Sequence, residues 1–318
     1  MRKLFICYDS RDRGEVDLLT QELRARGIAV WLDHDSGFKA GDNAQSEARR
    51  VLADLQETFG LLLYASPKAL ERAFIRQVEL HEALRRKERD QGFVLMAVPR
   101  RMDFPQLSQH CISAMGEDIS VFHSAALREP GTGTPPAPSM QRQFADLASM
   151  VLSSQLKATA LGTDRLLGIN LCTREHVPPS PDDILDVDAS ALLRAGSQAA
   201  EEWPRLLPPL LDIKRHVRAT FGRVRLRVRG SKHLSAAFLL GRLFPPSTVQ
   251  EIQVQQGDEL WSTACPPAAG SPLSVDLVSG TVGSQSLFVE LSTTEKSVRP
   301  AVRRHVRSTG TAPLAYLR

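Results

Sequence analysis

Glu79 sits in an amphipathic stretch that opens just after the apolar run Phe59-Gly60-Leu61-Leu62-Leu63-Tyr64, and other reactive or aromatic residues follow two earlier runs. Tyr8, Asp9, Ser10 and Arg11 come after Leu4-Phe5-Ile6-Cys7, and Trp31 and Asp33 belong to Val30-Trp31-Leu32-Asp33. Phe38-Lys39-Ala40-Gly41-Asp42 comes next. These residue types suit cleavage of a glycosidic bond in a nucleotide. Such cleavage passes through a cationic ribosyl species, which a carboxylate near the anomeric carbon stabilises. Tyr8, Trp31 and Phe38 offer flat apolar faces for bases, while the amides of Asp9 and Ser10 and the charges of Arg11 and Lys39 suit phosphates. Taken singly, each has a plainer reading. Glu79 is then a solvated helix carboxylate, Trp31 a core residue, and Asp12 the N-cap of the next helix.

The elements that must position these groups are legible as alternating apolar runs and amphipathic stretches, the signature of a parallel sheet flanked by helices. Strands are expected at 3–8, 28–32, 59–65, 93–98 and 119–123, and helices near 13–26, 43–57 and 67–89. In an open parallel sheet, ligands bind where the carboxyl ends of the strands meet the following loops. The residues after the first three strands therefore open on one edge.

The chain of 318 residues exceeds what one core usually serves, and roughly 150 residues per domain gives two. Pro130-Gly131-Thr132-Gly133-Thr134-Pro135-Pro136-Ala137-Pro138 holds neither helix nor strand and reads as a linker, placed at 126–145 between domains at 1–125 and 146–318. No apolar run reaches the roughly 18 residues of a membrane span, and Met1-Arg2-Lys3 leads into a strand rather than a signal core, so a cytoplasmic protein is expected. Four scattered cysteines show neither metal-ligand spacing nor a disulfide framework, which fits a reducing compartment without a bound metal. With 40 basic against 36 acidic residues the charge is too balanced to predict duplex nucleic acid as a partner.

Beyond the linker, a helical pattern from Gln141 to Ala158 precedes the strand Leu166–Leu171. A long segment through Trp203, Leu206, Leu207, Leu210, Leu211 and Val217 is expected to bury a helical face. Val224-Arg225-Leu226-Arg227-Val228-Arg229 alternates strictly, then Gly230-Ser231-Lys232-His233 leads into an apolar helix and Ile252-Gln253-Val254 gives the next strand. This is a strand-loop-helix crossover of Rossmann type. Free amides, a helix start and a lysine at Gly230–His233 suit a phosphate, although the same residues also make a plain crossover turn.

Taken in order, the stretches Leu4–Asp12, Val30–Asp33 and Phe38–Asp42 together with Glu79 resemble a bacterial TIR domain over roughly residues 3 to 125. The resemblance implies a flavodoxin-like α/β fold with helices on both faces of a parallel sheet, and a glutamate that cleaves the nicotinamide bond of NAD+. Glu79 takes that role, with Glu82 one turn on as the fallback. Family members place serine and tryptophan ahead of that glutamate, where this chain has Ala73 and Ile75. The resemblance further implies that the loop Phe38–Asp42 of one molecule completes the site of its neighbour.

Leu171-Cys172-Thr173-Arg174, Asp182–Asp188, the helix after Trp203 and Gly230–Arg242 running on to Trp261 are similar to the SAVED domain, a Rossmann/CARF-like sensor of cyclic oligonucleotides. Ser231, Lys232 and His233 would then line the ligand pocket, with Ser292, Thr293 and Thr294 as a second, weaker contact. Such domains usually have two Rossmann-like halves, and the chain closes soon after the first, so either a truncated or a short domain is expected. Together the resemblances imply a TIR-SAVED effector of bacterial CBASS anti-phage immunity. In that reading NAD+ is the substrate, no cofactor is tightly bound, and a cyclic oligoadenylate-type activator, expected to be a trinucleotide, drives self-association into oligomers or filaments. Two rivals stand beside it: a noncatalytic TIR adaptor that signals by self-association, and a nucleotide-processing enzyme whose active site is Gly230–His233.

Overall fold

Four largely apolar runs make the first sheet, as expected where both faces of a parallel sheet are covered. In this computed structural model, described for residues 2–32, 44–122, 126–131, 138–193, 199–257, 259–264 and the strand residues 278–279, 288–289 and 315–317, the runs are β1 (Lys3–Cys7), β2 (Val30–Leu32), β3 (Thr58–Ala65) and β4 (Val94–Pro99). They pair in parallel in the order β2-β1-β3-β4. Successive side chains alternate between two cores. Leu4, Ile6, Leu62 and Tyr64 pack on the side of α1 (Arg13–Ala25). Phe5, Cys7, Leu61 and Leu63 face the other side, with Val51 and Leu55 from α2 (Ala44–Gln56), Ala69 and Leu70 from α3 (Pro67–Glu71), Ala83 from α4 (His81–Arg89), and Leu107 and Cys111 from α5 (Phe104–Met115).

Two expectations are corrected here. Of the strand expected at 119–123, the described residues do not extend the sheet: Ile119–Val121 is a 3-10 turn, pinned because Asp118 Oδ1 accepts from the Ser120 amide (2.9 Å) and hydroxyl (2.6 Å). The single helix expected over 67–89 is three pieces. Arg72 is extended (φ −76°, ψ 117°) and ends α3, a π-helical turn covers Ile75–Leu80, and α4 follows.

The second sheet contains β5 (Leu166–Cys172), β6 (Asp183–Asp188), β7 (Arg225–Arg229), β8 (Glu251–Gln256) and β9 (Glu259–Ser262), in the order β6-β5-β7-β8-β9. All its pairings are parallel except that of β9 with β8. Its helices are α6 (Met140–Lys157), α7 (Ala199–Phe221) and α8 (Leu234–Leu243). In α7 the buried face is Leu206, Leu210, Ile213 and Val217. Leu207 and Leu211, expected inside, are 38% and 43% exposed because they fall one residue off that stripe.

Residues 1–264 form one compact unit and 265–318 another. Within the first, a single core runs from the α1 side of the first sheet through α6 and α7 to the second sheet. The carbonyl of Gly27, between α1 and β2, accepts from the Asp186 amide of β6 (2.9 Å). In the second unit β10 (Val278–Ser279), β11 (Phe288–Val289) and β12 (Ala315–Leu317) make a sheet ordered β10-β12-β11. Among the described residues no helix is long and apolar enough to cross a membrane.

Candidate functional site

Cys7 ends β1 at the carboxyl edge of the first sheet, and its thiol donates to Glu79 Oε2 (2.6 Å). Glu79 is only 3% exposed. An unbroken helix from Pro67 would carry residue 79 roughly 18 Å along its axis, toward the far edge of the sheet. The break at Arg72 and the wide π turn redirect the chain, so the carboxylate stays beside the end of β1. π turns are rare and recur at functional sites.

The loop after β1 is tightly organised. Asp9, 3% exposed, caps the 3-10 turn Ser10–Asp12 by accepting from the Arg11 amide (3.0 Å). It also pairs with the Arg11 guanidinium through Nε (2.6 Å) and a second nitrogen (3.2 Å). That hydrogen bond holds the Asp9 carboxyl below the usual carboxylate range. Arg11 is therefore largely committed to Asp9, yet its side chain is exposed and reaches solvent. Asp12 stands at the N-cap position of α1 but its side chain makes no capping bond; its buried carboxylate accepts from the Ser66 hydroxyl after β3 instead. Tyr8 turns to the core on the α1 face. Trp31 is half-buried and packs on Phe5 (ring centroids 4.6 Å apart, 34° between planes), so its ring belongs largely to the core. Asp33, Phe38 and Lys39 lie outside the described residues.

The sequence reading missed a second cluster on this edge. Arg100, just past β4, is buried and gives two hydrogen bonds to Glu15 of α1 (2.8 and 2.9 Å) and an ion pair to Glu129 (2.8 Å). Tyr64 also donates to Glu15. The Arg100 bonds pull the Glu15 carboxyl below its ordinary range, whereas burial, reinforced by Glu15, pushes the Tyr64 hydroxyl far above its own. Extending the strand-end rule to β4 would have pointed to Arg100; its partner Glu15, far off in sequence, carries no local signal.

In the second sheet the loops after β5 and β7 close on each other. Thr173 N and Arg174 N both donate to Ser231 O (2.9 and 3.2 Å), and the Thr173 hydroxyl accepts from His233 N (2.9 Å) and meets His233 Nδ1 (3.1 Å). Gly230 has φ +94°, and a Cβ there would lie 2.5 Å from the Leu171 carbonyl, so only glycine fits. Lys232 Nζ donates to Gly230 O (3.2 Å), and burial lowers its pKa. Ser231, Lys232 and His233 thus come together at the start of α8. Ser292, Thr293 and Thr294 lie outside the described residues. Beside this loop, buried Asp186 accepts from Asn170 Nδ2 (2.7 Å) and pairs with His176 Nε2 (3.0 Å), an arrangement that no sequence spacing announced. A cavity of about 590 Å³ runs between Trp31, Lys3 and Arg24 on one side and His176, Asp186 and Asp188 on the other. No group of three or more His, Cys, Asp or Glu among the described residues could hold a metal ion.

The chain shows similarity to two solved receptors. One is the Acinetobacter baumannii Cap4 SAVED/CARF-domain containing receptor with the cyclic trinucleotide 3'3'3'-cAAA, at 10% identity and TM-score 0.39, covering 96% of this chain and 80% of that one. The other is the Moraxella osloensis Cap4 SAVED/CARF-domain containing receptor, at 16% identity and TM-score 0.26, covering 70% of this chain; the chain spans only 59% of that receptor's length. No curated protein matches the chain. Residues 4–126, which hold Cys7, Glu79 and the whole first sheet, match the family model of the TIR domain, and the N-terminal part of the chain is a TIR domain.

Proposed function

We propose that the protein is a cyclic-oligonucleotide-activated NAD+ hydrolase acting as an anti-phage effector. The observation that carries this reading is the carboxylate of Glu79 at the carboxyl edge of a TIR-domain sheet, next to the end of β1. There it would stabilise the ribosyl cation as the nicotinamide bond breaks. Arg11 and the amides of Asp9 and Ser10 would hold the diphosphate. A cyclic oligonucleotide would bind at Ser231, Lys232 and His233, where loop amides, a partly buried lysine and the start of α8 converge. Its binding would promote self-association into oligomers or filaments, and proximity of TIR domains would complete composite sites.

The test is NAD+ consumption by the wild type and by Glu79→Gln, each with a panel of cyclic di-, tri- and tetranucleotides. Turnover with one nucleotide that is lost in Glu79→Gln supports the reading. No turnover with any of them overturns the enzymatic part. A second reading, a noncatalytic TIR adaptor, is favoured by the burial of Glu79 at 3% exposure and by Ala73 and Ile75 where catalytic relatives are expected to have serine and tryptophan. Nucleotide-driven assembly without NAD+ loss would select it.

A further inference from the structure

We propose that Cys7 is the positioning residue for Glu79: its thiol fixes the carboxylate at the sheet edge and keeps it ionised for the reaction. The inference rests on the NAD+-cleavage reading. Cys7 is 1% exposed at the last position of β1, held in register by parallel pairing with Leu63 of β3. Its surroundings are apolar, with Phe5, Leu63, Ile75 and Leu80 in the same core. A carboxylate in such a place is costly unless it accepts hydrogen bonds, and a donor to the charged form favours that form. The π turn supplies the other constraint. It sets the rise and rotation of residue 79 so that the side chain meets Sγ rather than solvent. Neither group does this alone: the turn aims the side chain, and the thiol holds its end.

Cys7 does not touch substrate in this reading; it acts through Glu79. Serine at position 7 keeps a donor, and alanine removes it with little change in volume. The experiment uses the full chain with cyclic triadenylate added and follows two readouts. The first is NAD+ cleavage against pH in wild type, Cys7→Ala and Cys7→Ser. The second is the carboxyl ¹³C NMR titration of Glu79, assigned by its loss in Glu79→Gln. In Cys7→Ala, kcat is expected to fall about fivefold with KM nearly unchanged. The acid limb of the profile should move up by roughly half a pH unit, and Cys7→Ser should recover most of both. Wild-type kcat and pH profile in Cys7→Ala, with Glu79→Gln inactive, overturn the role of Cys7 and leave the NAD+ reading standing. If the wild type cleaves no NAD+, the NMR titration decides alone. A Glu79 titration displaced in Cys7→Ala and restored in Cys7→Ser supports the pairing, and an unchanged one overturns it. Should Cys7→Ala fail to fold, Cys7→Ser and Cys7→Val make the same comparison of donor against none.

Discussion

Arg26 Nε lies 2.9 Å from Asp212 Oδ2, tying the end of α1 to the middle of α7. The arginine is 2% exposed and pairs with Glu22 at 2.6 Å as well, so these two carboxylates and a backbone carbonyl compensate its buried charge. The pairing matters because α1 also carries Glu15, the acceptor for Arg100 and Tyr64 at the carboxyl edge of the first sheet. One helix, α1, is thus tied to α7 at its end and carries the carboxylate of the edge cluster near its start.

Removing one partner of such a pair leaves a buried charge short of compensation. Asp212→Asn is expected to destabilise the protein by about 2 kcal/mol, discounted from the fully buried case because Asp212 is 18% exposed. Asp17→Asn breaks the exposed Arg13–Asp17 pair (3.7 Å) and should change stability by less than about 0.5 kcal/mol. Urea unfolding of both variants gives the comparison. Equal losses would mean that Arg26 is held by packing rather than by its pair.

The acid side of the stability profile has an assignable contributor on the second sheet. Hydrogen bonds from Ser262 and Gln253, with Arg225 (2.6 Å), bring the Glu251 carboxyl down to about 2. The folded value lies below the unfolded one, so the stabilisation is fully present above the ordinary glutamate range near pH 4.5 and is lost as pH falls toward 2. Stability measured by urea unfolding should decline across that window, and Glu251→Gln should flatten the decline. A variant profile parallel to the wild type would reassign the effect to other carboxylates.

The four strands of the first sheet were legible in the sequence because burial on both faces leaves uninterrupted apolar runs such as 59–64 and 94–98, and α6 because its apolar period persists over eighteen residues. The break at Arg72 was not legible. Residues 68 to 80 contain neither proline nor glycine and suit an ordinary helix; tertiary packing of Ile75 and Leu80 and the Cys7–Glu79 contact override that preference. Strand β6 was hidden for a different reason. Asp183-Ile184-Leu185-Asp186-Val187-Asp188 looks like a solvated loop, yet Asp183 and Asp186 are buried, partnered by the Ser180 amide and by Asn170 and His176. Register placed Glu79 on the third connection, whereas its burial and its thiol partner depend on distant residues that local patterns do not encode.

Gly230→Ala tests whether the crossover turn is as constrained as its geometry states. Alanine at φ +94° carries a backbone penalty of roughly 1–2 kcal/mol, and its Cβ would meet the Leu171 carbonyl at 2.5 Å and Asn170 Oδ1 at 2.6 Å. A total loss of about 3 kcal/mol is expected, read as a lower midpoint in urea. The same change at Gly116, also at positive φ but with open space around it, should cost only the backbone share. Similar losses at both sites would show that the close approach at Gly230 relaxes freely.

Lys232 separates a sensing loop from a plain crossover. Burial lowers its pKa and its ammonium donates to a carbonyl two residues back, so a bound phosphate would compensate the desolvated charge. Any ligand that binds only the folded state raises the melting temperature, with a gain of about 2.7 kcal/mol at a hundredfold excess over Kd. Cyclic triadenylate should therefore raise the wild-type melting temperature, and Lys232→Ala should lose most of that rise while melting near the wild type without ligand. Lys232→Arg, which keeps the charge, should retain part of it. A full ligand-induced rise in Lys232→Ala would remove the lysine from the pocket and leave Gly230–His233 as a structural turn, so that recognition would have to come from other residues of the chain.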